Sequence, residues 1–354
     1  MKKIIVVRFS ALGDVALLVP VVRSLVATYQ DVEVTVVTRP KTAPLFYDIE
    51  RVVVFPADVD YTYTGVFGML ELFKTLMKKG RSYEAFIDVH DHIRTMILRT
   101  FFRIFGTPVF VFEKGRQEKK AFARKERKIT APLRHTVVRY MQAFEKAGYP
   151  FNLLSAPYFS TNEAIETAAA EWLNKNEIIK KERWIGIAPF AMHASKIWPI
   201  ENYPLVMQHI LAQGDVKFFL FGGGEKEVKT LENIQKKFPD NSIVVAGQLK
   251  LRQEISIMRR LDLMICIDSA NMHFASLSGV PVLSIWGGTH PDVGFSPFGA
   301  ASDNIVQVSR EQLPCRPCSV YGRESCYVGG FPCLTRITPE LLADRVEKLL
   351  VARQ

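Results

Sequence analysis

The sequence predicts an α/β protein built from two Rossmann-like domains that face each other across a cleft. Three observations carry this expectation. The chain has 354 residues, long for one α/β unit and suited to two of ordinary size. Short β-branched runs alternate with amphipathic helical stretches from the first residues onward, the pattern of βαβ units around a parallel sheet. The alternation lapses once, near residue 150, and then restarts, which favours two sheets over one very wide one. With 48% hydrophobic and 23% charged residues, the chain can fill both cores.

In the first half, the apolar run at 4–9 fits a parallel strand covered on both faces. Two lysines before it imitate a secretory leader, but Arg8 interrupts the run and no small-residue cleavage site follows. A buried first strand and a cytoplasmic protein are therefore expected. Residues 14–29 carry apolar positions at helical spacing. Strands are expected at 32–38, 52–55, 85–89 and 109–112, with helices at 69–79, 93–105 and 136–147. After Gly148 comes YPFNLLSAPYFS, which has no periodicity and holds two prolines. The boundary is placed there, giving an N-terminal domain 1–155 and a C-terminal domain 156–354.

In the second half, helices are expected at 163–175, 202–212, 225–237, 253–261 and 271–278. Strands are expected at 184–188, 216–221, 243–245, 263–267 and 280–285. The terminal helix, 339–351, is amphipathic and is expected to cross back onto the first domain. No stretch of about 20 uncharged apolar residues exists, which argues against a spanning helix.

The formal charge of +10 is unevenly placed. Between Lys114 and Arg134 stand nine Lys or Arg residues, opposed only by Glu118 and Glu126. Such a segment points to an anionic partner (nucleic acid, a membrane surface or a phosphorylated substrate) or else to a solvated helix or loop. Of five cysteines, Cys266 stands in an apolar strand and reads as core. The others, Cys315, Cys318, Cys326 and Cys333, form a C-x2-C-x7-C-x6-C pattern. That spacing suits a small zinc site, although no flanking His helps and the second pair is widely spaced. In a reducing cytoplasm, free or redox-labile thiols are the preferred reading.

Ligands of open α/β sheets sit beyond the carboxyl ends of the strands, and four motifs fall at such places. RFSALGD puts Gly13 and Asp14 where the first strand meets a helix. It is not G-x-G-x-x-G, which argues against a dinucleotide. Asp14 reads either as a catalytic carboxylate or as a first-turn residue favoured by the helix dipole. HASKIWP puts Lys196 in a loop where it can neutralise phosphate, or simply lie on the surface. In FFLFGGGEKE, Gly222, Gly223 and Gly224 let backbone approach a ligand, and Glu225 can accept from ribose hydroxyls or cap the helix. In ICIDSANMHFASLSGVPVLSIWGGTHP, Asp268, Ser269, Ala270 and Asn271 lead into a helix whose free N–H groups offer a diphosphate site. His273 lies in its first turn. Ordinary capping by Asp or Ser is the alternative.

Taken in order along nearly the whole chain, these motifs resemble glycosyltransferase family 9, the ADP-heptose:lipopolysaccharide heptosyltransferases. The matching residues are R-x-S-x-L-G-D at 8–14, K-x-W-P at 196–199, the glycine–glutamate turn at 223–225, and D-S-x-x-x-H-x-A at 268–275. A G-x-P-x-x-x-x-x-G stretch follows at 279–287, and the cysteine segment is similar to one that many members carry. The resemblance implies a GT-B fold, with the acceptor on the N-terminal domain and the nucleotide sugar on the C-terminal one. It implies that Asp14 is the general base and that Lys196 pairs with the donor diphosphate. Glu225 would hold the ribose, and 268–273 would bind phosphates, with Ser10, Gly13, Gly223 and Gly224 also on the donor side. The implied reaction is inverting and metal-independent and uses no cofactor, and heptose from ADP-heptose is the implied sugar. Arg94, Lys119, Lys120 and Arg124 are candidates for holding an anionic glycolipid acceptor at the cytoplasmic face of the inner membrane, with no nucleic acid involved.

Two departures stand out. Asn271 and Met272 occupy positions where many members carry Gly-Leu or Gly-Pro. The DVHDHIRT segment at 88–95 matches the family's acceptor-side D-x-x-x-x-x-R only loosely. Three rival readings stand beside this one. A metal-dependent GT-A transferase would use Asp58-Val59-Asp60, and a UDP-sugar epimerase would share the architecture without RFSALGD. A nucleic-acid binder would use the basic segment, where Phe122 is the aromatic inside the run.

Overall fold

The computed structural model describes residues 1–80, 82–124, 131–299, 301 and 304–351. The chain forms two compact units, Met1–Gly115 with Arg134–Ser160, and Arg116–Leu133 with Thr161–Gln354.

In the first unit, β1 (Lys2–Val7) is followed by α1 (Leu12–Ala16), α2 (Val19–Thr28), β2 (Val32–Thr38) and β3 (Val52–Pro56). Then come α3 (Gly65–Gly80), β4 (Ala85–Asp88), α4 (Ile93–Ile104) and β5 (Val109–Val111). The strands pair in parallel in the order β3-β2-β1-β4-β5. Ile4 to Val7 are fully buried because helices cover both faces of a parallel sheet. On one face, α3 and α4 interlock through Phe73, whose ring meets Phe102 edge-on at 4.9 Å. The single helix expected at 14–29 is two helices. Pro20, at the start of α2, has no N–H for a continuing ladder and suits a fresh first turn.

The excursion after β5 differs from expectation. Helix α5 (Arg116–Phe122) and the chain to Leu133 belong to the second unit, and α6 (Thr136–Lys146) returns to the first. The reason is apolar: Phe122 is fully buried, edge-on to His290 at 5.4 Å and covered by the Arg310 guanidinium at 4.0 Å. Lys125, Arg127 and Lys128 of the basic segment lie outside the described residues.

The second unit runs α7 (Glu163–Lys175), β6 (Arg183–Ala188), α8 (Asn202–Leu211), β7 (Val216–Leu220), α9 (Glu225–Gln235) and β8 (Ser242–Val244). It continues with α10 (Leu251–Met258), β9 (Leu263–Ile267), α11 (Ala270–Leu277), β10 (Val282–Trp286) and β11 (Ile305–Gln307). Helices α12 (Pro332–Thr335) and α13 (Pro339–Val351) close the chain. Its parallel sheet has the order β11-β10-β9-β6-β7-β8, the doubly wound arrangement with β6 and β9 at the point where strand order reverses. Cys266 is buried at the centre of β9, as its apolar context predicts. Helix α13 packs on α8 within this unit. Leu342, Ala343, Val346 and Leu350 complete the core there, so the apolar stripe of this helix is used within the second unit. Among the described residues, no helix is long and apolar enough to cross a membrane.

Candidate active site

Each unit carries a polar cluster at the carboxyl edge of its sheet. In the first, Arg8 leaves β1 and meets Asp14, in the first turn of α1, with 2.7 Å between Nη2 and Oδ2. The guanidinium also donates to the Val89 carbonyl and lies against the rings of Phe112 and Tyr140. Burial works most strongly against this cation, but Asp14, Tyr140 and Asp88 together outweigh it and the guanidinium pKa stays above its ordinary value. The Asp14 side chain keeps 25% of its exposure, so solvent and solutes reach it. Gly13 lies beside it in α1.

Ser10 Oγ stands 3.3 Å from Nε2 of His90, a nearly buried imidazole stacked on His92. Burial, and then the charges of Arg8 and Lys114, push His90 down to about 3, so its ring is neutral at physiological pH. Just before it, Asp88 organises the loop: Oδ1 accepts the N–H groups of His90 at 2.9 Å and Asp91 at 2.7 Å. The arginine that meets Asp88 is Arg99, at 2.8 Å, and it also holds Asp91 at 3.1 Å. Arg94 turns instead to Asp60, at 3.3 Å, which Arg39 meets at 2.8 Å. Asp58 accepts the N–H groups of Asp60 and Tyr61. The turn and these ion pairs engage both carboxylates of the D-x-D, so the GT-A reading gains no support from their geometry.

In the second unit, a short turn after β6 (Ala194–Lys196) presents Lys196 to Asp268, at 2.8 Å. Both side chains are largely buried. Asp268 Oδ2 also accepts the Thr289 hydroxyl at 2.8 Å. The Trp198 of the same motif is a core anchor, its indole N–H donating to the Ile337 carbonyl at 3.0 Å. Ser269 is the N-cap of α11, yet its hydroxyl makes no capping bond and is buried with no partner among the described residues. The first-turn N–H groups of an α-helix, Ala270 and Asn271 included, have no intrahelical acceptor. Hydroxyl, helix end and Lys196 thus suit a phosphate, with the buried His273 one turn along.

The glycine turn after β7 is held by a second carboxylate. Gly224 adopts φ +83° as it opens α9, a conformation that suits glycine. Glu227, rather than Glu225, accepts the Gly223 N–H, at 2.7 Å, while Glu225 stays exposed. Glu227, Thr289, His90 and Arg99 are the residues that sequence reasoning missed. Of these, Thr289 had a readable signal, as a hydroxyl directly beyond a buried strand.

Among the basic candidates, Lys119 is buried with its ammonium 4.0 Å over the Phe295 ring, which makes it a packing residue of the second unit. Lys120 and Arg124 are exposed. All five thiols are free. Burial raises the thiol pKa of Cys318 and pushes that of Cys333 to about 12. Among the described residues, no group of three or more His, Cys, Asp or Glu is arranged to hold a metal ion, the four-cysteine segment included.

A family model for glycosyltransferase family 9 (heptosyltransferase) matches residues 69–327. The chain is 24% identical over 312 residues to the lipopolysaccharide core heptosyltransferase OpsX of Haemophilus influenzae, covering 88% of this chain and 85% of that protein. The fold is that of a family 9 glycosyl transferase from Veillonella parvula, with TM-score 0.76 at 20% identity over 99% and 98% of the two chains. It is shared with the E. coli ADP-heptose lps heptosyltransferase II, with TM-score 0.71 at 18% identity over 100% and 99%. The GT-B fold, with its two parallel Rossmann-like sheets, is thus common to all three structures.

Proposed function

We propose, for a chain that belongs to glycosyltransferase family 9 (heptosyltransferase) and is a glycosyltransferase, that the donor is ADP-heptose and the acceptor an anionic glycolipid of the lipopolysaccharide core type. Family membership decides against the epimerase and nucleic-acid-binding readings of its activity. The observation that carries the donor reading is the Lys196–Asp268–Thr289 constellation beside the uncapped start of α11.

In the proposed reaction, Asp14 takes the proton of an acceptor hydroxyl as that oxygen attacks the anomeric carbon. The new C–O bond forms while the bond from the anomeric carbon to the diphosphate oxygen breaks on the opposite face, which inverts the configuration. The departing nucleoside diphosphate carries the electron pair, and Lys196 with the α11 N–H groups stabilises its charge. The proton on Asp14 passes to water through its exposed edge. Arg8 fixes the orientation of that carboxylate, which general-base catalysis requires. Glu227 shapes the glycine turn, leaving Glu225 exposed for the donor ribose. Arg94 of the first unit remains the candidate for the acceptor's anionic groups, and the exposed Lys120 and Arg124 of the 116–133 excursion are candidates for the same role. The exposed Tyr61, Phe67 and Ile93 support peripheral contact with the cytoplasmic face of the inner membrane.

Incubation with a panel of nucleotide sugars, with and without a lipopolysaccharide-core acceptor, and measurement of released nucleotide tests the reading. ADP release that needs both ADP-heptose and acceptor is expected. Turnover of a hexose donor with none from ADP-heptose would overturn it.

A further inference from the structure

The cysteine segment contributes one side chain with an unusual setting. Arg316 is 1% exposed, and its guanidinium donates to four backbone carbonyls and one side-chain oxygen. Nε donates to the Gly287 carbonyl at 2.7 Å, and Nη2 to those of Trp286 and Thr289, each at 3.1 Å. Nη1 donates to the Val308 carbonyl, and the Gln307 side-chain oxygen lies 3.0 Å from Nη2. Three of these acceptors belong to one turn, 286–289, which leaves the carboxyl end of β10.

That turn is clasped from two more sides. The Gly288 N–H donates to the Ser195 carbonyl at 2.8 Å, while the Gly288 carbonyl accepts from Cys318 at 3.0 Å and Ser319 at 3.2 Å. Ser195 in turn exchanges bonds with Arg323: its N–H donates to the Arg323 carbonyl, and its hydroxyl accepts the Arg323 N–H at 2.9 Å. The layers close only because of two glycines. A Cβ on Gly287 would stand 2.5 Å from the Ser195 carbonyl oxygen, and one on Gly288 would stand 2.9 Å from the Ser195 side chain. The residue after Ser195 is Lys196, and the residue after Gly288 is Thr289. Both end on the same oxygen of Asp268.

We infer that Arg316 is a positioning residue for the donor diphosphate: it fixes the 286–289 turn, and through Thr289 and Ser195 it sets where the Lys196 ammonium stands. This rests on the reading that Lys196 binds that diphosphate. Burying a guanidinium carries a large desolvation cost, which its hydrogen bonds must offset. A guanidinium reaches several carbonyls at once because its five N–H donors form a rigid fork, a geometry that lysine lacks.

The test measures ADP affinity by titration calorimetry in a cycle of Arg316→Lys and Lys196→Ala. Arg316→Lys keeps the charge and loses most of the fork. It should weaken ADP binding about tenfold in the parent and less than about twofold in the Lys196→Ala background, a coupling of about 1 kcal/mol. Restoring Arg316 restores affinity. Equal losses in both backgrounds, or no loss in the parent, overturn the inference while leaving the donor site standing. If Lys196→Ala alone leaves ADP affinity unchanged, the donor-site reading fails and the inference falls with it. Should Arg316→Lys not fold, Gln307→Leu removes one acceptor of the same guanidinium. A smaller loss of affinity that again vanishes without Lys196 is then expected, and a loss that persists refutes the relay.

Discussion

Replacing Asp14 by Asn separates the chemistry of the first unit from its stability. Asp14 stands 2.7 Å from a guanidinium that is itself 7% exposed. Asn keeps one acceptor and removes the charge, leaving the Arg8 cation facing a neutral amide, the Val89 carbonyl and two rings. Breaking a fully buried pair costs about 3–5 kcal/mol. The partial exposure of Asp14 and the retained acceptor reduce this to roughly 2 kcal/mol, a fall of about 4–8 °C in the melting midpoint. Loss of a general base lowers kcat by about 10²–10⁴. The double variant Arg8→Met/Asp14→Asn removes both charges. Its midpoint should largely recover, because no uncompensated buried cation remains, while turnover stays lost. Released ADP at saturating donor and acceptor reads the chemistry, calorimetric melting reads stability, and ADP affinity should stay within about twofold throughout. Turnover near the parent rate in Asp14→Asn, or activity returning with stability in the double variant, refutes the general-base assignment.

Two further outcomes are expected. Lys196→Ala leaves Asp268 buried beside the Thr289 hydroxyl alone, and kcat should fall about 10²–10³ as leaving-group stabilisation goes. Adding Asp268→Asn should restore the melting midpoint without restoring turnover, and a rate within threefold of the parent (a loss of under about 0.7 kcal/mol) would contradict the role. The second outcome concerns His90, whose pKa is about 3 when folded against about 6.5 when unfolded. As pH falls below about 6.5 the unfolded chain takes the proton first, so this contribution is complete above that pH and is lost toward acid. The loss is about 2 kcal/mol by pH 5. Urea melts of His90→Gln should show an acid dependence shallower by about that amount, and an unchanged dependence counts against the buried neutral imidazole.

Much of the fold is legible because parallel strands buried on both faces write themselves as apolar runs. LMICI of β9 and IIVV of β1 are two examples. The four motifs were legible for a related reason, since each sits where such a run stops. What the sequence hides is partnership. The apolar stripe of α13 shows which face is buried and not which core receives it. The basic run at 114–134 masks Phe122, whose fully buried ring helps hold the segment on the second unit. Arg94 and Arg99 sit on one helix, and only the rotation of α4 sends Arg99 to Asp88 and Arg94 to Asp60. Glu225 and Glu227 differ likewise by their angle around α9.

The excursion of Arg116–Leu133 has a practical meaning for inheritance and engineering. The first unit is not a contiguous stretch of sequence, so a single crossover between relatives cannot exchange it cleanly. A fragment ending at Ser160 would carry Phe122 without the His290 and Arg310 that cover it. A chimera meant to exchange the first unit must transplant Met1–Gly115 and Arg134–Ser160 together and leave the intervening piece with its host. Gene shuffling that ignores this seam would fail at folding before any specificity was tried.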